Sequence, residues 1–324
     1  MIMQRLMAKV LIADRTHEVL EQRLRDAGIE VSVEPDHDYD SLKQAVQGYD
    51  GLVVRSKVVI DKAFIDAVPS LRCIGRVGAG METIDVEYAE NKGVRCLNSP
   101  EGNRDAVGEH AVGLLLALFN HIASADAEVR QGLWRREANR GLEIKDKTIG
   151  IVGFGNMGQA FATRLKGFGC RVLFYDKYKT FDVVKGLDMV EPVSLEELQR
   201  QADVVSFHVP LTDETHHYLD SHFIESMRKP FYLINTARGA VIDTEALVAG
   251  LEGGKVLGAA LDVLEGENMQ ADGLTTINSK LLTLNCVLTP HVAGWTVESK
   301  YKLAAVLADK IIDTLMARYD NSQK

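Results

Sequence analysis

Short apolar runs alternate with longer amphipathic segments along the chain. The first half contains five strand candidates: Lys9–Ala13, Val31–Val33, Gly51–Val54, Leu71–Ile74 and Val94–Leu97. Between them, Thr16–Ala27 has the spacing of an amphipathic helix and is followed by Gly28. This alternation predicts βαβ units, and therefore a parallel sheet with helices on both faces.

A second βα series begins at Thr148. Its predicted strands are Thr148–Val152, Arg171–Tyr175, Val204–His208, Phe231–Asn235, Val256–Leu261 and Cys286–Thr289. After Pro290 only a helix is predicted, about Val297–Arg318, with one apolar stripe at four-residue spacing. A helix without a sheet of its own is expected to pack back on the first series. The architecture is therefore predicted to be discontinuous, with residues 100–290 inserted in an outer domain of residues 1–99 plus 291–324.

One long helix is predicted between the two series, from about Arg104 to Gln131, with Asn103 as its N-cap. Its segment Leu114–Phe119 is apolar on nearly every face. Such a helix has to be buried against something large, either at a domain junction or at a subunit interface.

Charge and composition exclude several classes of protein. The 324 residues include 37 Lys+Arg and 46 Asp+Glu, a net charge of −9 with no basic block, which argues against a nucleic-acid partner. The longest apolar run, Ala111–Phe119, is about half of the ~20 residues that a membrane span needs. The four cysteines are far apart and form no CxxC, so neither a metal site nor a disulfide framework is indicated. A cytoplasmic enzyme without nucleic-acid, membrane or metal partners is expected.

A glycine-rich turn follows the strand Thr148–Val152. Gly153, Gly155 and Gly158 form G-x-G-x-x-G with Asn156 and Met157, and a helix is predicted from Asn156 to Lys166. The glycines permit a tight turn, close approach of a pyrophosphate and close helix–strand packing, and the helix N-terminus attracts phosphate. This context predicts a dinucleotide-binding site.

The next strand ends in Asp176, eighteen residues after Gly158. A carboxylate there can bind the ribose hydroxyls and would repel a 2′-phosphate, which favours NAD. Lys177 and Lys179 keep NADP open as the alternative.

A second glycine cluster, Gly75–Gly80, follows the strand candidate Leu71–Ile74. Its spacing does not fit a second dinucleotide. Its backbone N–H groups can form a nest for a small anion such as a carboxylate, or the glycines can serve only a tight turn.

Three polar residues follow predicted strands in the second series. Arg238, Glu267 and His291 lie where open α/β sheets bind ligands. Reduction of a carbonyl by hydride needs a general acid, a cation that holds the substrate and a neighbour that keeps the acid protonated. His, Arg and Glu suit these tasks, although each residue taken singly has an ordinary structural explanation.

The motifs IVGFGNMG, HVPLT, INTARGAVID, AALDVLEGE and TPHVAGWT together resemble the D-isomer-specific 2-hydroxyacid dehydrogenases. Upstream, VVRSK, GRVGAGMETID and NSPEGNRDAVGEHAVGLLLAL are similar to the same family, nearest to its phosphoglycerate dehydrogenase branch. The resemblance implies an α/β fold of two doubly wound parallel-sheet domains. A Rossmann NAD-binding domain would be inserted in a flavodoxin-like substrate domain.

The resemblance also implies roles for individual residues. His291 would be the general acid/base, Glu267 would raise its pKa, Arg238 would hold the substrate, and Asp262 would bind the nicotinamide carboxamide. Further cofactor contacts would come from His208, Val209, Pro210, Thr215, Thr236, Ala237 and Gly294. Substrate contacts would come from Arg55, Ser56, Arg76, Val77, Gly78, Ala79 and Gly80.

Within the family, interconversion of 3-phosphoglycerate and 3-phosphohydroxypyruvate, the entry to serine synthesis, is the first choice because of Arg55 and Arg76. A glyoxylate or hydroxypyruvate reductase is the alternative, and an NAD(H)-sensing corepressor-like protein is a remote one. The family habit implies a homodimer through the NAD-binding domain. Two departures are expected: Asn268 replaces the usual proline after Glu267, and the C-terminal regulatory domain of longer phosphoglycerate dehydrogenases is missing.

Overall fold

A computed structural model describes residues 7–179, 190–267 and 276–320. The chain divides into two compact units, which are considered separately. Unit 1 comprises Met1–Asn103 and Trp295–Lys324, and unit 2 comprises Arg104–Gly294. Both boundaries lie four residues after the predicted ones (103 against 99, and 294 against 290), so His291 falls in unit 2.

Unit 1 is built on a five-stranded parallel sheet in the order β2-β1-β3-β4-β5, which is the flavodoxin-like order. The strands are β1 (Lys9–Ile12), β2 (Glu30–Val33), β3 (Gly51–Val54), β4 (Cys73–Arg76) and β5 (Arg95–Asn98). The helices between them are α1 (Glu18–Asp26), α2 (Tyr39–Ala45), α3 (Lys62–Ala67) and α4 (Val86–Asn91). The β4 strand begins two residues later than predicted and β5 one residue later.

The last helix, α12 (Val297–Asp320), packs on this first sheet. Its stripe of Leu303, Leu307, Ile311 and Leu315 is buried in a core cluster together with residues of β1, β2 and α1. A Cβ at Gly75 would lie 3.1 Å from Ile311 and 3.2 Å from Leu307, so the small residue in β4 allows the helix to approach closely. The chain therefore returns to its first sheet, as the stripe predicts.

Unit 2 contains a seven-stranded parallel sheet in the order β12-β11-β10-β9-β6-β7-β8. The strands are β6 (Thr148–Val152), β7 (Arg171–Tyr175), β8 (Val190–Pro192), β9 (Val204–Phe207), β10 (Phe231–Asn235), β11 (Val256–Leu261) and β12 (Cys286–Leu288). The helices after β6 are α7 (Asn156–Leu165), α8 (Leu195–Gln201), α9 (Ser221–Ser226), α10 (Thr244–Glu252) and α11 (Thr276–Leu281). The strand order reverses between β6 and β9, and ligands bind at such switch points in doubly wound sheets.

The prediction of a single helix over Arg104–Gln131 is wrong. Two helices, α5 (Arg104–Phe119) and α6 (Ile122–Arg130), meet at an angle of 59°. Between them, His121 adopts a left-handed conformation with φ 52° at the N-cap of the second helix. Asn103 does not act as the expected N-cap, since its side-chain oxygen is buried without a hydrogen-bond partner among the described residues.

The two helices differ in burial. The apolar α5 is largely buried and packs against α7, as its composition predicts, whereas α6 has no buried residue. Among the described residues, no single helix is long and apolar enough to cross a membrane, and only the bent pair α5 and α6 passes such a test together.

Candidate active site

The glycine loop after β6 is shaped by backbone contacts. Gly153 has φ +90°, and a Cβ on it would lie 2.8 Å from the carbonyl oxygen of His208. A Cβ on Gly158 would lie 2.2 Å from the carbonyl oxygen of Gly153. Gly155 is different, because nothing lies within 4 Å of the place where its Cβ would be. The first and third glycines thus serve packing, and the second leaves the N-terminus of α7 open to a ligand.

Asp176 braces this loop from the end of β7. Its Oδ2 accepts a hydrogen bond from Phe154 N at 2.7 Å, and its Oδ1 accepts from the N–H groups of Tyr178 and Lys179. The Lys177 ammonium is 2.7 Å from Glu214 Oε1. Lys177 is therefore already paired with a carboxylate, whereas Lys179 Nζ lies 3.4 Å from the carbonyl oxygen of Phe154 in the loop. A carboxylate at the end of β7 fits NAD better than NADP.

Two buried polar atoms near the switch point have no hydrogen-bond partner among the described residues: His208 Nδ1 and Thr236 Oγ1. They follow β9 and β10 directly, and both residues are among those that sequence reasoning assigns to the cofactor. Buried polar groups are rarely left unpaired in proteins, so the pair fits a polar ligand that supplies the missing contacts. Together with the open Gly155, they fit a bound dinucleotide.

Burial lowers the pKa of the His208 imidazole to about 3. Ser206 Oγ lies 2.8 Å from Nε2 of this ring. The segment that follows is a compact turn in which Thr215 Oγ1 donates to the carbonyl oxygen of Pro210 at 2.6 Å. Val209 packs against Gly153. The four cofactor residues predicted in this segment (His208, Val209, Pro210 and Thr215) thus lie in one structured loop beside the glycine turn.

Arg238 is held by the turn that ends β10. Asn235 is fully buried, its Oδ1 accepts from Ala237 N at 3.0 Å, and its Nδ2 donates to the Arg238 carbonyl oxygen at 2.9 Å. The half-buried Arg238 donates from Nη1 to the Ala237 carbonyl oxygen at 2.6 Å. Sequence reasoning missed Asn235, although a polar residue at the end of an otherwise apolar strand is a visible signal.

Glu267 and His291 are brought together in unit 2. Glu267 Oε1 is 2.5 Å from His291 Nδ1, and its other oxygen accepts from Leu264 N at 3.0 Å. The imidazole is about half exposed, with 49% of its side-chain surface accessible. With Nδ1 occupied by the carboxylate, Nε2 is the atom left to exchange a proton with a substrate.

A buried network supports the backbone of His291. This residue has φ 54°, a conformation that costs free energy for a non-glycine residue. Its N–H donates to the Asp262 carbonyl oxygen at 2.7 Å, and the Asp262 carboxylate accepts from Val292 N at 3.0 Å and Ala293 N at 2.8 Å. Asp262 is 1% exposed, so its carboxylate holds the turn that carries the histidine.

Asp262 has two further partners that sequence reasoning missed. Thr289 Oγ1 donates to Oδ1 at 2.5 Å. His110 Nε2 on α5 lies 3.5 Å from Oδ1 and 3.0 Å from the Thr289 hydroxyl. Burial alone would raise the pKa of Asp262, but hydrogen bonds from His110, Thr289 and the backbone outweigh it, and the pKa is lowered. The expected contact of Asp262 with the nicotinamide carboxamide stays a prediction.

The predicted substrate residues lie in unit 1. Arg55 and Arg76 are at the carboxyl ends of the adjacent strands β3 and β4, and the Arg55 guanidinium carbon is 5.5 Å from the centre of the Trp295 ring. Gly78 has φ +152°, and a Cβ there would fall 1.6 Å from Arg76 Nη1, so the guanidinium folds over the glycine loop.

The rest of that loop is fixed by two neighbours. Asn98 Nδ2 donates to the Ala79 carbonyl oxygen at 2.7 Å, and Ser99 N donates to the Gly78 carbonyl oxygen at 2.9 Å. Val77 is buried, whereas Ser56 is exposed, and Ala79 and Gly80 are partly exposed. Gly294 lies at the end of unit 2 and is partly exposed. The predicted departure at Asn268 lies outside the described residues.

The chain is similar to known proteins in both sequence and fold. Residues 112–293 match the family model for the NAD-binding domain of D-isomer specific 2-hydroxyacid dehydrogenases. A hydroxypyruvate reductase of Thermotoga maritima is 38% identical over 288 residues, which are 88% of this chain and 92% of that protein. A D-3-phosphoglycerate dehydrogenase of Methanocaldococcus jannaschii is 35% identical over 307 residues, 94% of this chain and 57% of that protein.

A solved structure agrees with these sequence matches. A D-lactate dehydrogenase from Aquifex aeolicus, complexed with NAD and lactic acid, has a TM-score of 0.80 at 26% identity and covers 96% of both chains. The similarity thus extends over both sheets. With the glycine loop and the His–Glu pair in place, this chain belongs to the D-isomer-specific 2-hydroxyacid dehydrogenases, with NAD as its cofactor.

Proposed function

We propose that the enzyme interconverts a D-2-hydroxyacid and its 2-oxoacid with His291 as the general acid/base. The observation that carries this proposal is the contact of 2.5 Å between His291 Nδ1 and Glu267 Oε1. When bound at the glycine loop after β6, NADH would supply the hydride for the carbonyl carbon of the 2-oxoacid. Protonated His291 gives the proton on Nε2 to the carbonyl oxygen, and in the reverse direction neutral His291 removes the hydroxyl proton.

The neighbours of His291 prepare it for this step. The Glu267 carboxylate orients the ring through Nδ1, while Leu264 N donates to the second carboxylate oxygen and holds it in place. Arg238 offers a planar cation for the substrate carboxylate and carbonyl group, and its own contact with Ala237 limits the positions of the guanidinium.

For the substrate, 3-phosphohydroxypyruvate and 3-phosphoglycerate remain the first proposal. Arg55 and Arg76 end adjacent strands, and a phosphorylated substrate carries a second anionic group that needs such cations. The glycine loop suits the carboxylate that both candidate substrates carry, since among the described residues the N–H groups of Gly78, Ala79 and Gly80 donate to no protein acceptor.

The second candidate is hydroxypyruvate or glyoxylate. It is favoured by the hydroxypyruvate reductase of Thermotoga maritima, which is the more similar of the two relatives and aligns over nearly its whole length.

A panel of 2-oxoacids assayed with NADH, and with NADPH in parallel, separates the two candidates. Turnover of 3-phosphohydroxypyruvate, with a loss of kcat/KM in Arg55→Met that is larger for this substrate than for hydroxypyruvate, supports the first. Turnover of glyoxylate or hydroxypyruvate without any turnover of the phosphorylated acid rejects it in favour of the second.

We also propose that the enzyme is a cytoplasmic homodimer formed through unit 2. The helix α6 and the segment after it expose several apolar side chains: Ile122, Val129, Leu133 and Trp134, the last with 78% of its surface accessible. A patch of this kind is typical of a protein–protein interface. The cysteines at 73, 96, 170 and 286 are free, as expected of a reducing compartment.

Sedimentation tests the dimer. The wild-type protein should sediment at twice the mass of one 35.7 kDa chain, and Trp134→Glu should shift it toward the monomer. A wild-type protein that sediments as one chain at micromolar concentration excludes the dimer.

A further inference from the structure

Glu265 lies two residues before Glu267 and joins three segments of unit 2. Its Oε1 is 2.6 Å from His217 Nε2. Its Oε2 accepts from Thr244 Oγ1 at 2.9 Å and from Thr244 N at 3.3 Å. Because Thr244 begins α10 and His217 lies in the loop between β9 and α9, the side chain of Glu265 connects the loop after β11 to both.

The backbone is packed tightly at the same place. A Cβ on Gly239 would lie 2.1 Å from the carbonyl carbon and oxygen of Leu264 and 2.5 Å from Glu265 N. Gly239 directly follows Arg238, so the segment of the substrate-holding arginine lies in backbone contact with the loop that carries Glu267. His217 is tied to this segment as well, since its N–H donates to the Ala240 carbonyl oxygen at 2.8 Å.

The hydrogen bonds of Glu265 to His217 and Thr244, together called the brace, are connected to the reacting histidine through Leu264 and Glu267. Leu264 N holds Glu267 Oε2 at 3.0 Å, and Glu267 Oε1 is 2.5 Å from His291 Nδ1. Any shift of residues 264–265 therefore changes the position of the Glu267 carboxylate.

The brace is charged. Burial would raise the pKa of Glu265, but hydrogen bonds from His217 and Thr244 outweigh it and lower the pKa, so the carboxylate is ionised near neutral pH. Hydrogen bonds to an ionised acceptor are stronger than neutral ones, which suits a group that has to hold a loop in one place.

We propose that Glu265 is a positioning residue for the reaction: by tying His217 and Thr244 to residues 264–265, it keeps Glu267 at hydrogen-bond distance from His291. This inference rests on the roles proposed above for Glu267 and His291. In this role Glu265 acts through Glu267 and not by touching the substrate or NAD.

The first test is Glu265→Ala in the full-length enzyme, assayed with NADH and the 2-oxoacid of the panel that is turned over best. We expect kcat to fall roughly 10- to 100-fold, as for other changes that misplace a catalytic group, with an unchanged Kd for NADH. Glu265→Gln keeps an oxygen for Thr244 and should recover most of kcat. The exposed Glu245→Ala, which removes the same charge one residue after Thr244, is the matched control and should keep wild-type kcat.

A double mutant shows whether the effect passes through Glu267. If it does, adding Glu265→Ala to Glu267→Gln should lower kcat by less than about twofold further, because the group being positioned is already lost. A further loss as large as that of the single variant, or a folded Glu265→Ala enzyme with wild-type kcat, would overturn the inference.

If Glu265→Ala does not fold, Thr244→Val removes the hydroxyl that donates to Glu265 Oε2 at nearly constant side-chain volume. It should lower kcat roughly 2- to 10-fold, and wild-type kcat would again overturn the inference. His291→Asn separates this result from failure of the proposed function: near-normal kcat in His291→Asn rejects the role of His291 itself. A large loss there combined with wild-type kcat in Glu265→Ala rejects only the positioning role.

Discussion

The substitution Gly155→Ala is expected to weaken NADH binding while leaving the stability of the fold nearly unchanged. In Gly155→Ala the new Cβ meets no protein atom within 4 Å, and the residue has φ −78° and ψ −155°, which alanine can adopt. Alanine is poorer than glycine at a helix N-cap but loses less entropy on folding, so the free energy of unfolding should change by less than about 1 kcal/mol.

The binding of NADH should respond much more strongly. If the backbone at Gly155 contacts the pyrophosphate, the added methyl group occupies part of the ligand's space, and overpacking of this kind costs about 1–3 kcal/mol. At 1.4 kcal/mol per tenfold change, the Kd for NADH should rise roughly 5- to 150-fold.

Fluorescence titration with NADH and urea unfolding of the same samples measure both quantities. Gly158→Ala is the contrasting variant, because its Cβ would lie 2.2 Å from the Gly153 oxygen and must move by at least 0.8 Å to reach the 3.0 Å limit of real Cβ contacts. It should lose about 1–3 kcal/mol of stability as well as affinity. An unchanged Kd for NADH in Gly155→Ala would show that the pyrophosphate does not approach this glycine.

Three further predictions follow from charges in unit 2. Asp262→Asn should cost about 1–3 kcal/mol of stability at neutral pH, because an amide donor then faces a backbone donor such as Ala293 N. Since the pKa of Asp262 is lowered by folding, its stabilisation is complete above the unfolded pKa of about 3.9 and is lost as the pH falls through the folded pKa, so the difference should shrink in acid. Glu214→Gln releases Lys177 and should lower the KM for NADPH while leaving that for NADH unchanged. The NMR ring signal of His208 should not titrate between pH 5 and 8, because burial lowers its pKa to about 3.

Equal stabilities of Asp262→Asn and wild type across the pH range would mean that the carboxylate does not hold its turn. An unchanged preference for NADH over NADPH in Glu214→Gln would remove the Lys177 pair from cofactor choice. Titration of His208 near pH 6.5 would show that its ring is accessible to water.

Much of the fold is predictable because parallel strands buried on both faces appear as short apolar runs. Thr148–Val152 and Phe231–Asn235 agree with β6 and β10 at both ends. The strand β8 gives no such signal, since it has three residues, lies at the sheet edge and ends in proline. The break at His121 lacks glycine and proline, and only a polar pair in an otherwise helical pattern marks it.

The sequence predicts the residues of the candidate site that follow strands but not the residues that support them. Residues that follow strands, such as Arg238 and His291, are visible because the topology brings strand ends to one edge of the sheet. Their supports are not visible, because the contact of His110 with Thr289 spans 179 residues of sequence and depends on how α5 packs. The role of Asp262 in holding the His291 turn likewise depends on a backbone conformation that the sequence does not state.

The most direct test of the account is the oxidation of NADH by the wild-type enzyme and by His291→Asn, followed by absorbance with the panel of 2-oxoacids. The wild type should oxidise NADH with at least one of them and form the D-2-hydroxyacid. His291→Asn should bind NADH with an unchanged Kd while kcat falls by about 10²- to 10⁴-fold, the usual contribution of a general acid. A wild-type protein that binds NADH but oxidises it with none of the 2-oxoacids would contradict the account and indicate a sensing protein, and near-normal kcat in His291→Asn would contradict the proposed mechanism.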